Sequence, residues 1–166
     1  MKLIIRGILT KYLKDAHKLY NYYILNSYAN FEEKKINFKD FALSSKKITQ
    51  KKLPFLVALI NDKVVGIAYL NKFREKSGYR YTFENTIYVD KQYLNQGIGF
   101  KLLRELVNVS KKNKNIKKIV AVIASIESGG SLKIHQKLGF KECGILKKIG
   151  FKKGKWIDSI ILQKDL

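Results

Sequence analysis

Cysteine is nearly absent from this chain: Cys143 is the single one in 166 residues. One thiol cannot close an internal disulfide, so a reducing cytoplasm is the expected setting. With no catalytic partner pattern around it, Cys143 reads as a small core residue. No apolar run approaches the about 18 residues of a membrane span, and none is expected. Lys2-Leu3-Ile4-Ile5-Arg6 is too short and too soon interrupted for a signal peptide. Repeats, linkers and low-complexity stretches are lacking, so residues 1–166 are expected to form one domain. Acidic residues are scarce: 13 Asp and Glu face 34 Lys and Arg, a net charge of +21. Nucleic-acid binding is one reading of that number. Against it, arginine is also scarce, limited to Arg6, Arg74, Arg80 and Arg104, although it is the residue that forks onto bases and phosphates. The lysines scatter, with the densest groups at Lys111–Lys118 and at Lys147, Lys148, Lys152, Lys153 and Lys155. A solvated lysine surface is expected, without a specific nucleic-acid partner; it would steer polyanionic ligands at low salt.

What is present is core material, 46% hydrophobic residues. Leu3 to Ile5 suggest a first strand, and helical spacing then runs from Thr10 to about Asn26. Asn37 is placed to cap a second helix carrying Phe38, Phe41 and Ile48. Strands are expected at Phe55–Ile60 and Lys63–Phe73 across an Asn61-Asp62 turn, and at Tyr79–Val89. A helix to about Lys112, a strand at Lys118–Ala124 and a short helix at Ser131–Leu138 follow. Strands at about Phe140–Phe151 and Lys155–Lys164 close an α/β domain with a mixed sheet.

The stretch from Thr86 to Leu106 (TIYVDKQYLNQGIGFKLLREL) organises the rest. An apolar strand end, Ile87-Tyr88-Val89, leads through Gly97-Ile98-Gly99 into a helix with Ile98, Leu102, Leu103 and Leu106 at helical spacing. Free N–H groups and the dipole at such a helix start favour a phosphate. The dinucleotide fingerprint fails because its third glycine is Leu102, and no Gly-Lys-Ser/Thr follows as in a Walker loop. A phosphate cradle of another type, or a plain tight turn, remains.

Four further blocks resemble one family, the GNAT N-acetyltransferases, and within it the subgroup acetylating phosphinothricin and methionine sulfone or sulfoximine. They are Asn26–Glu32 (NSYANFE), Phe73–Val89 (FREKSGYRYTFENTIYV), Leu132–Phe140 (LKIHQKLGF) and Ile149–Asp158 (IGFKKGKWID). The resemblance implies a GNAT-like mixed, mostly antiparallel sheet flanked by helices, acetyl-CoA as donor, a small-molecule amine as acceptor and a homodimer. It implies that backbone groups of Ile87, Tyr88 and Val89 pair with the pantetheine arm as an added strand. It also implies that Asn95, Gln96, Gly97, Ile98, Gly99 and Phe100 hold the pyrophosphate. Two positions depart from the family pattern: Leu94 replaces a Gln or Arg, and Ser128 an Asn facing the pantetheine, with Ser131 nearby. The implied acceptor pocket comprises Phe31, Glu32, Ser77, Gly78, Tyr79, Glu84, Asn85 and Thr86. No metal site is expected.

An amine is protonated at neutral pH and must lose a proton before it attacks a thioester. Glu84, just before the expected donor strand, is the candidate base. Strand alternation puts it on a face with Arg80, Thr82, Thr86 and Tyr88, so an ion pair with Arg80 is the plainer reading. His135 is the second catalytic candidate, at a position where many family members place the tyrosine that protonates the leaving thiolate. The plainer reading is a histidine packed on Phe140. His17 carries no motif and reads as structural. Two alternatives stay open: a GNAT enzyme for protein N-termini or lysines, and, more distantly, a basic nucleic-acid-binding module.

Overall fold

The computed structural model of the chain describes residues 2–126 and 128–166. Among these, seven strands form a sheet: β1 (Leu3–Gly7), β2 (Phe55–Ile60), β3 (Lys63–Lys72), β4 (Thr82–Val89), β5 (Lys118–Ala124), β6 (Lys141–Lys152) and β7 (Lys155–Asp165). Their order is β1-β2-β3-β4-β5-β7-β6. Every neighbouring pair is antiparallel except β4 with β5, which is parallel. This is the mixed, mostly antiparallel sheet expected from sequence. Asn61 and Asp62 both take positive φ (50° and 60°), the conformation a two-residue hairpin between β2 and β3 requires.

Helices α1 (Leu13–Asn26) and α2 (Phe38–Gln50) cover one face of the sheet, and α3 (Ile98–Lys111) and α4 (Gly129–Lys137) the other. Tyr20 and Tyr23 of α1 pack on Tyr88 of β4, with Tyr23 stacked at 4.3 Å between ring centres. On the opposite face, α3 comes so close to β3 that a Cβ on Gly66 would lie 3.2 Å from Leu102. Ile98, Leu102, Leu103 and Leu106 are all buried, as their spacing requires. Asn37 caps α2, its side chain accepting from the Asp40 amide at 2.9 Å. Such caps contribute about 1 kcal/mol.

Three expectations need correction. The strand expected from Tyr79 begins only at Thr82, because Ser77–Tyr79 close a 3-10 turn. The amides of Tyr79 and Arg80 bond back to Lys76 and Ser77, so this segment cannot pair with β3. Arg80 therefore leaves the face of Glu84. Cys143 is exposed rather than in the core, because β6 is an edge strand exposed over almost its whole length. Lys152, counted among the solvated lysines, is 2% exposed.

Candidate active site

β4 and β5 part company soon after they meet. They pair only where Thr82, Glu84 and the residue between them face Lys118–Val120. From Asn85 onward β4 keeps β3 alone, while β5 follows β7 to Ala124. The split leaves one edge of β4, from Asn85 to Val89, with backbone groups that no strand satisfies. An extended ligand could complete that edge as an added strand. One acceptor there is already engaged, since the Tyr23 hydroxyl donates to the Val89 carbonyl at 2.6 Å.

At one end of the split lies the start of α3. Gly97 is the helix N-cap with φ of 74°, and a Cβ built on it meets nothing within 4 Å. Asn95 also takes positive φ, 61°. The helical ladder begins with the Lys101 amide bonding to the Gly97 carbonyl, so the amides of the first turn have no partner within the helix. No acidic residue occupies that turn, and Lys137 and Arg104 flank Phe100. A cavity of about 590 Å³ opens here between the C-terminal end of α1, the loop into α3, and α4. Ile87, Val89, Asn95, Gly97, Ile98, Gly99, Phe100 and Ser131, all expected on the donor side, line it. Gln96 does not; its amide donates to the Gln92 carbonyl. Leu94 sits exposed among the lining residues.

A second cavity of about 430 Å³ adjoins the first, sharing Ala29, Ile87 and Ser131. Phe31, Glu32, Glu84, Asn85 and Thr86 line it, together with Tyr88 and Ser128, which sequence had placed on the donor side. The Ser128 hydroxyl donates to the Ser125 carbonyl at 3.1 Å. Ser77, Gly78 and Tyr79 lie outside this cavity: Ser77 borders a separate basic groove, and Tyr79 is exposed, edge-on to Phe73. The 3-10 turn carries them away from the split.

Glu84 hangs on the α1 face, opposite Asn71 of β3. Burial pushes its carboxyl above the usual carboxylate range, and only Arg74, acting through space, pulls it back. The expected alternative, an ion pair with Arg80, is absent among the described residues: Arg80 bonds the Ser77 carbonyl and lies over Tyr81. The buried phenol of Tyr69, bonded to Thr86 and Tyr20, stays protonated beside Glu84 because burial raises its pKa.

His135 faces the split from the other side of the sheet and is 1% exposed. Its Nδ1 lies 2.8 Å from the Ser131 carbonyl, which can only accept, so Nδ1 carries the proton. Nε2 then accepts from the Asn85 amide at 3.0 Å. Burial lowers the imidazole pKa and keeps the ring neutral. Both nitrogens are thus committed, and the ring stands edge-on to Phe140 at 4.9 Å. His135, the second catalytic candidate, thus stands beside the cleft with its one N–H held by the Ser131 carbonyl. The Asn85 amide oxygen is buried and has no partner among the described residues. His17 is structural as expected, bonded to the Ile36 carbonyl and packed on Phe38 and Phe41.

Sequence reasoning missed Tyr69 and Asn71, which reach the cavity only through the sheet register, Tyr20, which reaches it through the packing of α1, and Lys152. The Lys152 ammonium donates to the carbonyls of Ile24 (2.7 Å), Ser27 (2.9 Å) and Asn30. No local signal marks it, because its partners lie more than 120 positions away.

A cleft through a split sheet, with unpartnered amides of a helix start on one side and a half-buried carboxylate on the other, is an architecture suited to group transfer from an extended anionic donor. The chain belongs to the GNAT acetyltransferase family: residues 5–161 match the acetyltransferase (GNAT) domain. It is 31% identical to phosphinothricin N-acetyltransferase of Alcaligenes faecalis over 148 residues, 89% of this chain and 75% of that protein. A phosphinothricin acetyltransferase of Sinorhizobium meliloti, solved with acetyl-CoA, superposes with a TM-score of 0.93 at 32% identity, covering all of this chain and 89% of that one. Ribosomal-protein-alanine N-acetyltransferase from Brucella melitensis superposes with a TM-score of 0.94 at 30% identity, covering 98% and 99%.

Proposed function

We propose that this acetyltransferase moves the acetyl group of acetyl-CoA to the primary amine of a small amino-acid analogue of the phosphinothricin or methionine sulfone type. The observation that carries the reading is the pair of adjoining cavities with Glu84 in the second one. The pyrophosphate would lie against the amides from Gly97 to Phe100, and the pantetheine would follow the unpaired β4 edge at Ile87. The acceptor enters beside Phe31, Glu32 and Thr86. Glu84 takes the ammonium proton, and the neutral amine attacks the thioester carbonyl. The tetrahedral intermediate collapses, the C–S bond breaks, and CoA thiolate leaves. The proton shed by the new amide nitrogen balances the thiolate through solvent in the cleft. His135 acts one step removed, fixing Asn85 next to the base.

The surrounding features support a homodimer of single-domain chains in the cytoplasm. The β6 edge exposes Ile145, Leu146, Ile149 and Phe151, and Trp156 on β7 is 62% exposed. An apolar unpaired edge of this length favours a second copy. Among the described residues no helix is long and apolar enough to cross a membrane. Sedimentation should give a dimer that Ile149→Lys converts to monomer; a wild-type monomer would remove this part of the reading.

CoA release across a panel of amino-acid analogues, amines and N-terminal peptides tests the function. Turnover of a sulfone or phosphinate amino acid supports it. The likeness to a ribosomal-protein-alanine acetyltransferase favours a second reading, a peptide N-terminus as acceptor. Turnover of peptides alone would establish that reading instead.

A further inference from the structure

The loop between α1 and α2 walls both cavities, with Ser27 and Ala29 on the donor side and Ala29 to Glu32 on the acceptor side. Little within the loop fixes it: the Ser27 hydroxyl accepts from the Ala29 amide and the Asn30 side chain from the Glu32 amide. The tip of the β6–β7 hairpin grips it at three points. Lys152 Nζ has three donors and meets three carbonyls, two of them in the loop, at the helix end where α1 carries no basic residue of its own. The Lys153 ammonium lies 5.3 Å from the Tyr28 ring centre. Gly150 faces Phe31 so closely that a Cβ there would sit 2.6 Å from the ring. Asp158 prepares this approach by accepting from the Lys147 ammonium and the Lys148 amide, which holds a bulge in β6 just before Gly150.

We propose that the hairpin tip, through Lys152 and Gly150, determines acceptor specificity by fixing where Phe31 and Asn30 stand in the acceptor cavity. Lys152 is a positioning residue: its ammonium is fully used on two loop carbonyls and one of α1, and touches no reacting atom. Gly150 sets how far the Phe31 ring can retreat from the cavity. The proposal rests on the acetyl-transfer reading above and adds to it the element that selects the acceptor.

Two variants test it. Gly150 is not among the positive-φ glycines, so Gly150→Ala strains no backbone, and the atoms nearest to the new Cβ are those of the Phe31 ring, which must shift. We expect its acceptor KM to change at least fivefold and the ranking of acceptors across the panel to change, with the acetyl-CoA Kd within threefold of wild type. Lys152→Met keeps the length and removes the donors. We expect its acceptor KM to rise at least tenfold with kcat within threefold, and amides 28–32 to exchange hydrogen at least tenfold faster while β5 is unchanged. A merely structural lysine would lower the melting temperature and leave acceptor KM in place. If Lys152→Met fails to fold, Gly150→Ala decides alone. Acceptor KM and ranking within twofold of wild type in every folded variant would overturn the proposal. A wild-type protein that binds acetyl-CoA yet turns over nothing would instead sink the acetyl-transfer reading, a distinguishable result.

Discussion

The two cavities meet at Ala29, Ile87 and Ser131 but are built from different material. The donor side is made by backbone: an unpaired strand edge, a left-handed Gly97, and the amides of a helix start, all within one stretch from Ile87 to Phe100. The acceptor side is made by side chains from several segments: the half-buried Glu84, the buried Asn85, His135 and Tyr69, and the Lys152 that holds its wall. Backbone sites tolerate sequence change and can be recognised from spacing. Side-chain sites depend on register, and a single substitution in one of them removes a function outright.

If the halves are as separable as this contrast implies, changes on one side should spare the other. The largest effect is expected from Glu84→Gln, which should lower kcat by about 10²–10⁴-fold and leave acetyl-CoA affinity in place. The same change carries a stability signature. Burial raises the Glu84 pKa, so the folded chain holds that proton more tightly than the unfolded one. The associated stability is present at low pH and lost as pH climbs through the raised pKa, so at neutral pH the ionised carboxylate destabilises the fold. Glu84→Gln should therefore melt higher than wild type at pH 7.5, and wild-type kcat/KM should rise with pH above the usual carboxylate range.

His135→Ala should come next, destabilising by about 2–4 kcal/mol, because it opens a cavity and strands the Asn85 amide. The shape of its pH–rate profile should stay as in wild type; loss of the alkaline limb would restore His135 as a proton donor. On the donor side, Gly97→Val forces a branched residue into positive φ, a strain of about 1–3 kcal/mol. Acetyl-CoA KM should rise by roughly tenfold with acceptor KM unchanged. The smallest effect concerns charge: raising salt from ~20 to ~200 mM should slow acetyl-CoA association several-fold through screening of the net +21, measured by stopped flow.

The same contrast explains what could be read from sequence. The Asn37 cap, the Asn61-Asp62 turn, the α3 stripe and the glycine turn at the start of α3 are set by neighbours a few positions apart, and the structure has all of them. The face that Glu84 shares with Thr86 and Tyr88 was legible because strand alternation is local. The freedom of Glu84 from Arg80 was not, because that depends on whether Ser77–Tyr79 curl into a turn or extend. His135 could be placed beside the cleft, but the commitment of both ring nitrogens depends on Asn85, fifty residues away. Cys143 was misjudged because an edge strand and an inner strand share one composition. Lys152 looked like any other lysine, since nothing near it announces the carbonyls it meets.

The most direct test of the separation is a calorimetric titration of acetyl-CoA into Glu84→Gln. The account predicts a Kd within threefold of wild type for a protein whose turnover has collapsed. A Kd weakened in proportion to the loss of turnover would show that the donor and acceptor sides are one site, and would contradict it.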